Sequence, residues 1–197
     1  MMADAGTIPE GTPATTSRRF THEEYIRMRE TGILTAEDSV ELIHGRIVEM
    51  SPENTPHRAA VMKITRVLVE RLDADTYAIQ PQSTLPLGEY DAPEPDLAVL
   101  RGTPDELMGG ELPVVLVVEV ADTSLDRDRG VKQELYARAG IPVYWIVDLT
   151  GRQLEVYSDP EKGRYRERTT VPENGSVNLP DPERSSVAVR ALLPAAE

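Results

Sequence analysis

The chain has 197 residues, no cysteine and a net charge of −13, from 34 acidic and 21 basic side chains. Disulfide frameworks, thiolate nucleophiles and sulfur-ligated metals are thereby excluded, so any metal needs oxygen or imidazole ligands. The acidic balance also argues against tight, sequence-independent attachment to nucleic acid through a broadly basic surface. Hydrophobic residues make up 40% of the chain, as in ordinary soluble globular proteins. No apolar run approaches the roughly 20 residues that span a bilayer, so the expectation is a cytoplasmic protein that avoids the membrane.

Residues 1–16, rich in Thr, Pro, Ala and Gly without periodicity, read as a flexible tail, followed by one domain over 17–197. Thr21 with Glu24 is a capping-box pattern and opens a short helix, THEEYIRMRE. SVELIHGRIVEM reads as two short strands joined at His44-Gly45, with Glu41 on the first. Between Thr55 and Asp73, the spacing of Val61, Ile64, Leu68 and Leu72 predicts a helix with a core-facing stripe. YAIQPQSTLPL, PDLAVL and VVLVVEV then read as strands, and Pro95 fits only a strand's first position or an edge because it lacks a ladder donor. A further helix is expected over Leu125–Ala139, ended by Gly140 and Pro142, with Val131, Leu135 and Ala139 packed on the sheet and Lys132 and Tyr136 along the stripe's edge. VYWIVDL is a strand covered on both faces, and RQLEVYSD with GRYRERTTV forms a more exposed hairpin. The order predicts an α/β (α+β) fold: a mixed central β-sheet flanked by helices, with a parallel crossover across residues 114–148.

Three acids, Glu41, Asp96 and Glu119, interrupt apolar strands or stand at their ends. An isolated ionised carboxylate in an apolar setting is expensive, whereas one or two carboxylates with water suffice to hold a hard divalent cation such as Mg²⁺. Asp96 begins one strand and Glu119 ends another, so neighbouring strands with these ends together can share an ion. The plainer alternative makes each a solvated strand-end acid, and makes Asp128 and Lys132 an i,i+4 pair on a helix surface worth a few tenths of a kcal/mol. Gly130 weakens the same helix by roughly 1 kcal/mol relative to Ala, which points to a reason other than stability.

EPDLAVL, the block VVLVVEVADTSLDRDRGVKQELYARAGIPVYWIVD and the upstream ELIHGRIVEMSPENTPH together resemble the Uma-type family of restriction endonucleases within the PD-(D/E)XK nuclease superfamily. The resemblance runs from about Phe20 into the C-terminal region. It implies a restriction-endonuclease-like core, with an N-terminal helix and hairpin and a C-terminal hairpin, and a metal-dependent endonuclease acting on nucleic acid, most naturally DNA. Asp96 and Glu119 match the superfamily's metal-binding acids, aided by the Val120 backbone carbonyl, with Mg²⁺ as cofactor and Mn²⁺ as its substitute. Glu41 matches an upstream acid that holds metal directly or through water. The superfamily's lysine position is occupied by Ala121, and Lys132 matches the lysine that Uma-type proteins carry on the next helix. The implied catalytic set is Asp96, Glu119, Lys132 and Glu41, with His57, Asp128 and Tyr136 in support and a homodimer as the working form. Trp145 reads as core, and Ser124 has no histidine near it in sequence. The competing expectation is a catalytically silent nuclease-fold protein that acts as a binding or assembly module, which the −13 charge favours.

Overall fold

A computed structural model describes residues 17–35, 37–180 and 186–195; the tail expected at 1–16 lies outside the described residues. Helix α1 (His22–Glu30) precedes the hairpin β1 (Val40–Ile43) and β2 (Arg46–Glu49), and α2 (Thr55–Arg71) follows. Strands β3 (Tyr77–Pro81), β4 (Leu97–Arg101) and β5 (Val114–Ala121) come next, with the short α3 (Pro104–Leu107) between the last two. A helical segment of α4 (Leu125–Arg127), a π turn (Asp128–Lys132) and α5 (Gln133–Arg138) leads to β6 (Val143–Asp148), β7 (Gln153–Glu161) and β8 (Arg164–Pro172). A small pair, β9 (Ser176–Val177) and β10 (Val187–Ala188), and a 3₁₀ turn close the described chain. Strands β3 to β8 form one six-stranded sheet in sequential order. Only β5 and β6 run parallel, which is the crossover expected over 114–148.

Local chemistry explains most boundaries. The Glu24 backbone N–H donates to Thr21 Oγ1 (3.2 Å) and the Thr21 N–H to the Glu24 carboxylate (3.0 Å), completing the capping box of α1. His44 (φ 53°) and Gly45 (φ 75°) both take positive φ, as a two-residue primed hairpin turn requires. A Cβ on Gly45 would meet the Arg19 side chain at 2.6 Å. Asn54 caps α2 through its side chain, which accepts from the His57 N–H. β3 ends at Pro81, earlier than the run YAIQPQSTLPL suggests, because Gln82 adopts φ 41° and leaves the pleat. Pro93 and Pro95 both lie before β4, outside the ladder.

Alternation of side chains divides the core between the two sheet faces. Leu97 and Val99 of β4, Leu116, Val118 and Val120 of β5, and Trp145 and Val147 of β6 pack with Ala60, Ile64 and Leu68 of α2. Ala98, Val117, Ala121, Tyr144, Ile146 and Tyr157 pack with Leu135 and Tyr136 of α5 on the other face. Trp145 is fully buried, as a core residue. Tyr25, Leu42 and Ala92 form a smaller cluster that seats α1 on the hairpin.

The segment after β5 departs from the expected stripe. Leu135 is buried, but Val131 is only half-buried and Ala139 is exposed, while Asp128, Lys132 and Tyr136 are buried instead. The cause is the π turn at Asp128–Lys132, whose i→i+5 bonding takes up more chain per turn than an α-helix and rotates the following residues relative to a regular helical projection. Asp128 and Lys132 are therefore not a surface salt-bridge pair. Among the described residues, no helix is long and apolar enough to cross a membrane.

Leu68, fully buried between α2 and the sheet, tests this packing. Leu68→Ala should lower unfolding free energy by about 2–5 kcal/mol, seen as a lower urea midpoint at unchanged slope; a loss well under 1 kcal/mol would contradict the packing.

Candidate active site

The β4–β5 register pairs Leu97 with Val118, so Asp96, one residue before Leu97, faces Glu119 across adjacent antiparallel strands. Asp96 is fixed by the Val120 backbone N–H, which donates to Oδ2 at 2.7 Å. His57, in the first turn of α2, brings Nε2 to 3.2 Å from each Asp96 carboxylate oxygen. Glu119 Oε1 accepts from Lys132 Nζ at 2.8 Å and from Tyr136 Oη at 2.6 Å. Both donors converge on one oxygen, and neither bond engages Oε2.

Glu41, at the start of β1, is 1% exposed. It accepts from the Arg127 guanidinium and from the Glu94 backbone N–H (3.1 Å), and its Oε2 lies 3.6 Å from Lys132 Nζ. Asp128 accepts from Ser124 Oγ at 2.6 Å, and its backbone carbonyl accepts from Tyr144 Oη at 3.2 Å. The carboxylates, His57, Arg127 and Lys132 line a cavity of about 390 Å³, with Tyr136 and Tyr144 behind its wall. Its walls carry six carboxylates (Glu41, Glu53, Glu94, Asp96, Glu119 and Asp128) against Arg127, Lys132 and the titratable His57.

That imbalance shapes the electrostatics. Burial pushes the Glu119 carboxyl up to about 8, a rise that Lys132 opposes and the neighbouring acids reinforce. Burial pulls Lys132 down, but Glu119, Glu41 and Asp128 outweigh it and hold the ammonium above its usual value, so it is a firm cation at neutral pH. For Asp128 the dominant effect is again burial, which raises it against Lys132.

Comparison with known proteins bears on the chain as a whole. The Uma2 family profile, described as "Putative restriction endonuclease", matches residues 22–190. The chain belongs to the Uma2 family. A solved structure similar in fold is a "putative nuclease belonging to DUF820" from Anabaena variabilis, at a TM-score of 0.69 and 16% identity, covering 88% of this chain and 97% of that one. The chain has no significant match among curated proteins.

Within this Uma2 fold, Asp96, Glu119, Lys132, Glu41 and His57 come together around one cavity, with Val120 in its wall. Asp128 and Tyr136 are beside them, but Tyr136 binds Glu119 rather than Lys132, and Asp128 is tied to Ser124. Sequence reading missed Arg127, whose side chain is 27% exposed yet reaches Glu41, and Glu53, whose carboxylate approaches His57 and Asp96. Potential ligand atoms of Glu53, His57 and Asp96 lie within 4.8 Å of one another. The acid preceding the Asn54 cap was the available signal for Glu53; Arg127 had none, because its partner is 86 residues away.

For His57, burial disfavours the charged ring, but the hydrogen bond and charge of Asp96 prevail and raise it above its usual 6.5. A raised folded value means stabilisation that is complete below the unfolded value and is lost as pH rises through the folded one. In EDTA, the stability gap between wild type and His57→Gln should be widest at about pH 5 and close toward about pH 9. Urea titrations across that range measure it, and a gap that widens with pH would refute the pairing.

Proposed function

We propose that the chain is a metal-dependent nuclease that hydrolyses phosphodiester bonds, with DNA as its substrate. The observation that carries this reading is the buried Lys132–Glu119 contact beside Asp96, which places two acids and an ammonium at one end of adjacent strands. Family membership supports the reaction class.

The donor set suits a hard divalent ion. Asp96, the free Oε2 of Glu119 and the Val120 carbonyl supply oxygens of the kind Mg²⁺ accepts. Glu53 and His57 adjoin Asp96, and an imidazole nitrogen makes Mn²⁺ at least as good a fit. Glu41 is already engaged by Arg127, Lys132 and a backbone N–H, which favours contact with metal through water. When bound, such a cation offsets phosphate charge and acidifies a coordinated water.

The protein's own groups supply the remainder. Lys132, kept protonated by three carboxylates, orients the attacking water and stabilises charge that builds on the phosphate. Arg127, partly exposed at the rim, meets a non-bridging phosphate oxygen. Tyr136 holds Glu119 through its phenol and fixes which oxygen is left free. Duplex DNA presents two strands, and a two-fold pair of sites in a homodimer matches them.

Supercoiled plasmid incubated with Mg²⁺ or Mn²⁺ should be nicked or linearised by wild type, and EDTA or Asp96→Asn should abolish the cut. Intact plasmid, linear DNA and RNA with either metal would overturn the reading in favour of a binding module.

Lys132→Gln should reduce kcat by about 10²–10⁴-fold while Mn²⁺ affinity, read by calorimetry, changes little. Unchanged turnover would remove Lys132 from the chemistry.

A further inference from the structure

Glu155 of β7 is a buried carboxylate that the proposed chemistry does not use. It is paired across the sheet with Ile146 and Thr170 and does not line the cavity. Two guanidinium groups and a phenol satisfy it. Arg129 Nε lies 3.0 and 3.3 Å from its two oxygens, with Arg129 Nη2 also on Oε1. Arg168 Nη2 approaches Oε1 at 3.0 Å, and Tyr157 Oη donates to Oε2 at 2.7 Å. Arg129 Nη2 also lies 4.0 Å from Asp148 Oδ2. Arg129 and Arg168 thus hold Glu155 from different elements: Arg168 belongs to the neighbouring strand β8, whereas Arg129 belongs to the π turn.

The π turn is where this matters. A π turn is rare and less favourable than α-helix, so it persists where surrounding contacts fix it. Here its first residue, Asp128, is held by Ser124 and Tyr144, and its last, Lys132, reaches Glu119. Between them stands Gly130, which weakens local helix and whose missing Cβ would meet nothing within 4 Å. Crowding therefore does not explain that glycine. With a flexible residue at its centre, the turn depends on external anchors, and Arg129 on Glu155 is the anchor opposite the cavity.

We infer that Glu155 and Arg129 are positioning residues for the Lys132 ammonium: the ion pair locks the π turn to β7 and thereby sets where Nζ stands beside Glu119. The inference rests on the proposed role of Lys132 in catalysis. A purely structural role would be sheet stabilisation, and Arg168 provides the control because it neutralises the same carboxylate without touching the turn.

The experiment compares Glu155→Gln, Arg129→Gln and Arg168→Gln in the full chain, at a temperature where urea titration shows each to be folded. The first two should lose about ten- to a hundredfold in kcat, the scale expected of a misplaced catalytic group. KM and Mn²⁺ affinity should stay within about twofold of wild type, and Arg168→Gln should retain its kcat. Lysine acylation in the folded protein gives a second readout, because the chain has three lysines, Lys63, Lys132 and Lys162. Lys132 is 6% exposed, and its labelling relative to Lys162 should rise several-fold in Glu155→Gln but not in Arg168→Gln. Unchanged kcat in folded Glu155→Gln, or an equal fall in Arg168→Gln, overturns the positioning role. If wild type cleaves nothing, the nuclease reading fails by itself and labelling decides the geometry: raised labelling of Lys132 upholds the anchor, and unchanged labelling refutes it.

Discussion

The buried contact between Lys132 and Glu119 organises the end of the sheet. At 2.8 Å, the attraction between the ammonium and this carboxylate is set against the several kcal/mol needed to desolvate each ion, and burial itself pushes the Glu119 carboxyl up. The pair by itself is therefore close to neutral for stability. What makes it informative is its surroundings, since Glu41, Asp96 and Asp128 also act on the same buried groups. One ammonium among four acids leaves negative charge to be balanced, and Arg127 at the rim and a titrating His57 balance only part of it. A site built for stability would have exchanged these acids for apolar side chains of similar volume. Keeping them fits the divalent cation proposed for the site.

Three elements converge on that charge cluster, and each contributes a different kind of group. The strand ends give Asp96 and Glu119, fixed by ladder geometry. The first turn of α2 gives His57, fixed by the Asn54 cap. The helical segment after β5 gives Arg127 and Lys132, fixed by the π turn and its anchors. Arg127 and Lys132 of the cavity wall thus both come from one short segment of an acidic chain. Under the proposed function, the net charge of −13 weakens non-specific attraction to a polyanionic substrate.

Much of this was legible in the sequence because the signals were local. The capping box, the core stripe of α2, the hairpin at His44-Gly45 and the apolar run around Glu119 are each read within a few residues. The meeting of Asp96 with Glu119 was also foreseeable, since one acid precedes a strand and the other nears the end of its neighbour. The π turn was not, because helical periodicity assumes a constant angle per residue, and a single wide turn rotated the stripe so that Lys132 and Tyr136 face inward. Glu155 was hidden for a related reason. In RQLEVYSD it occupies a polar slot of an alternating strand, indistinguishable from a solvated residue until Arg129 and Arg168 are seen to converge on it. Arg127 was missed because its partner Glu41 is 86 residues away, and Glu53 because an exposed acid beside a helix cap reads like any solvated residue.

The resemblance puts the superfamily's usual lysine position at Ala121, and the packing there bears on it. Side chains two apart on a strand share a face, so Ala121 points the same way as Glu119. It is 1% exposed and packs in the cluster that contains Leu135 and Tyr136. A lysine there would have to fit beneath the helix that covers this face, so the small side chain leaves the space to α5 and its π turn. The ammonium then approaches Glu119 from the helix side, and its position is set by how the helix is seated on the sheet rather than by the strand's own pleat. That arrangement gives side chains outside the cavity control over a group inside it, and it makes the packing of one short helical segment part of the site's chemistry.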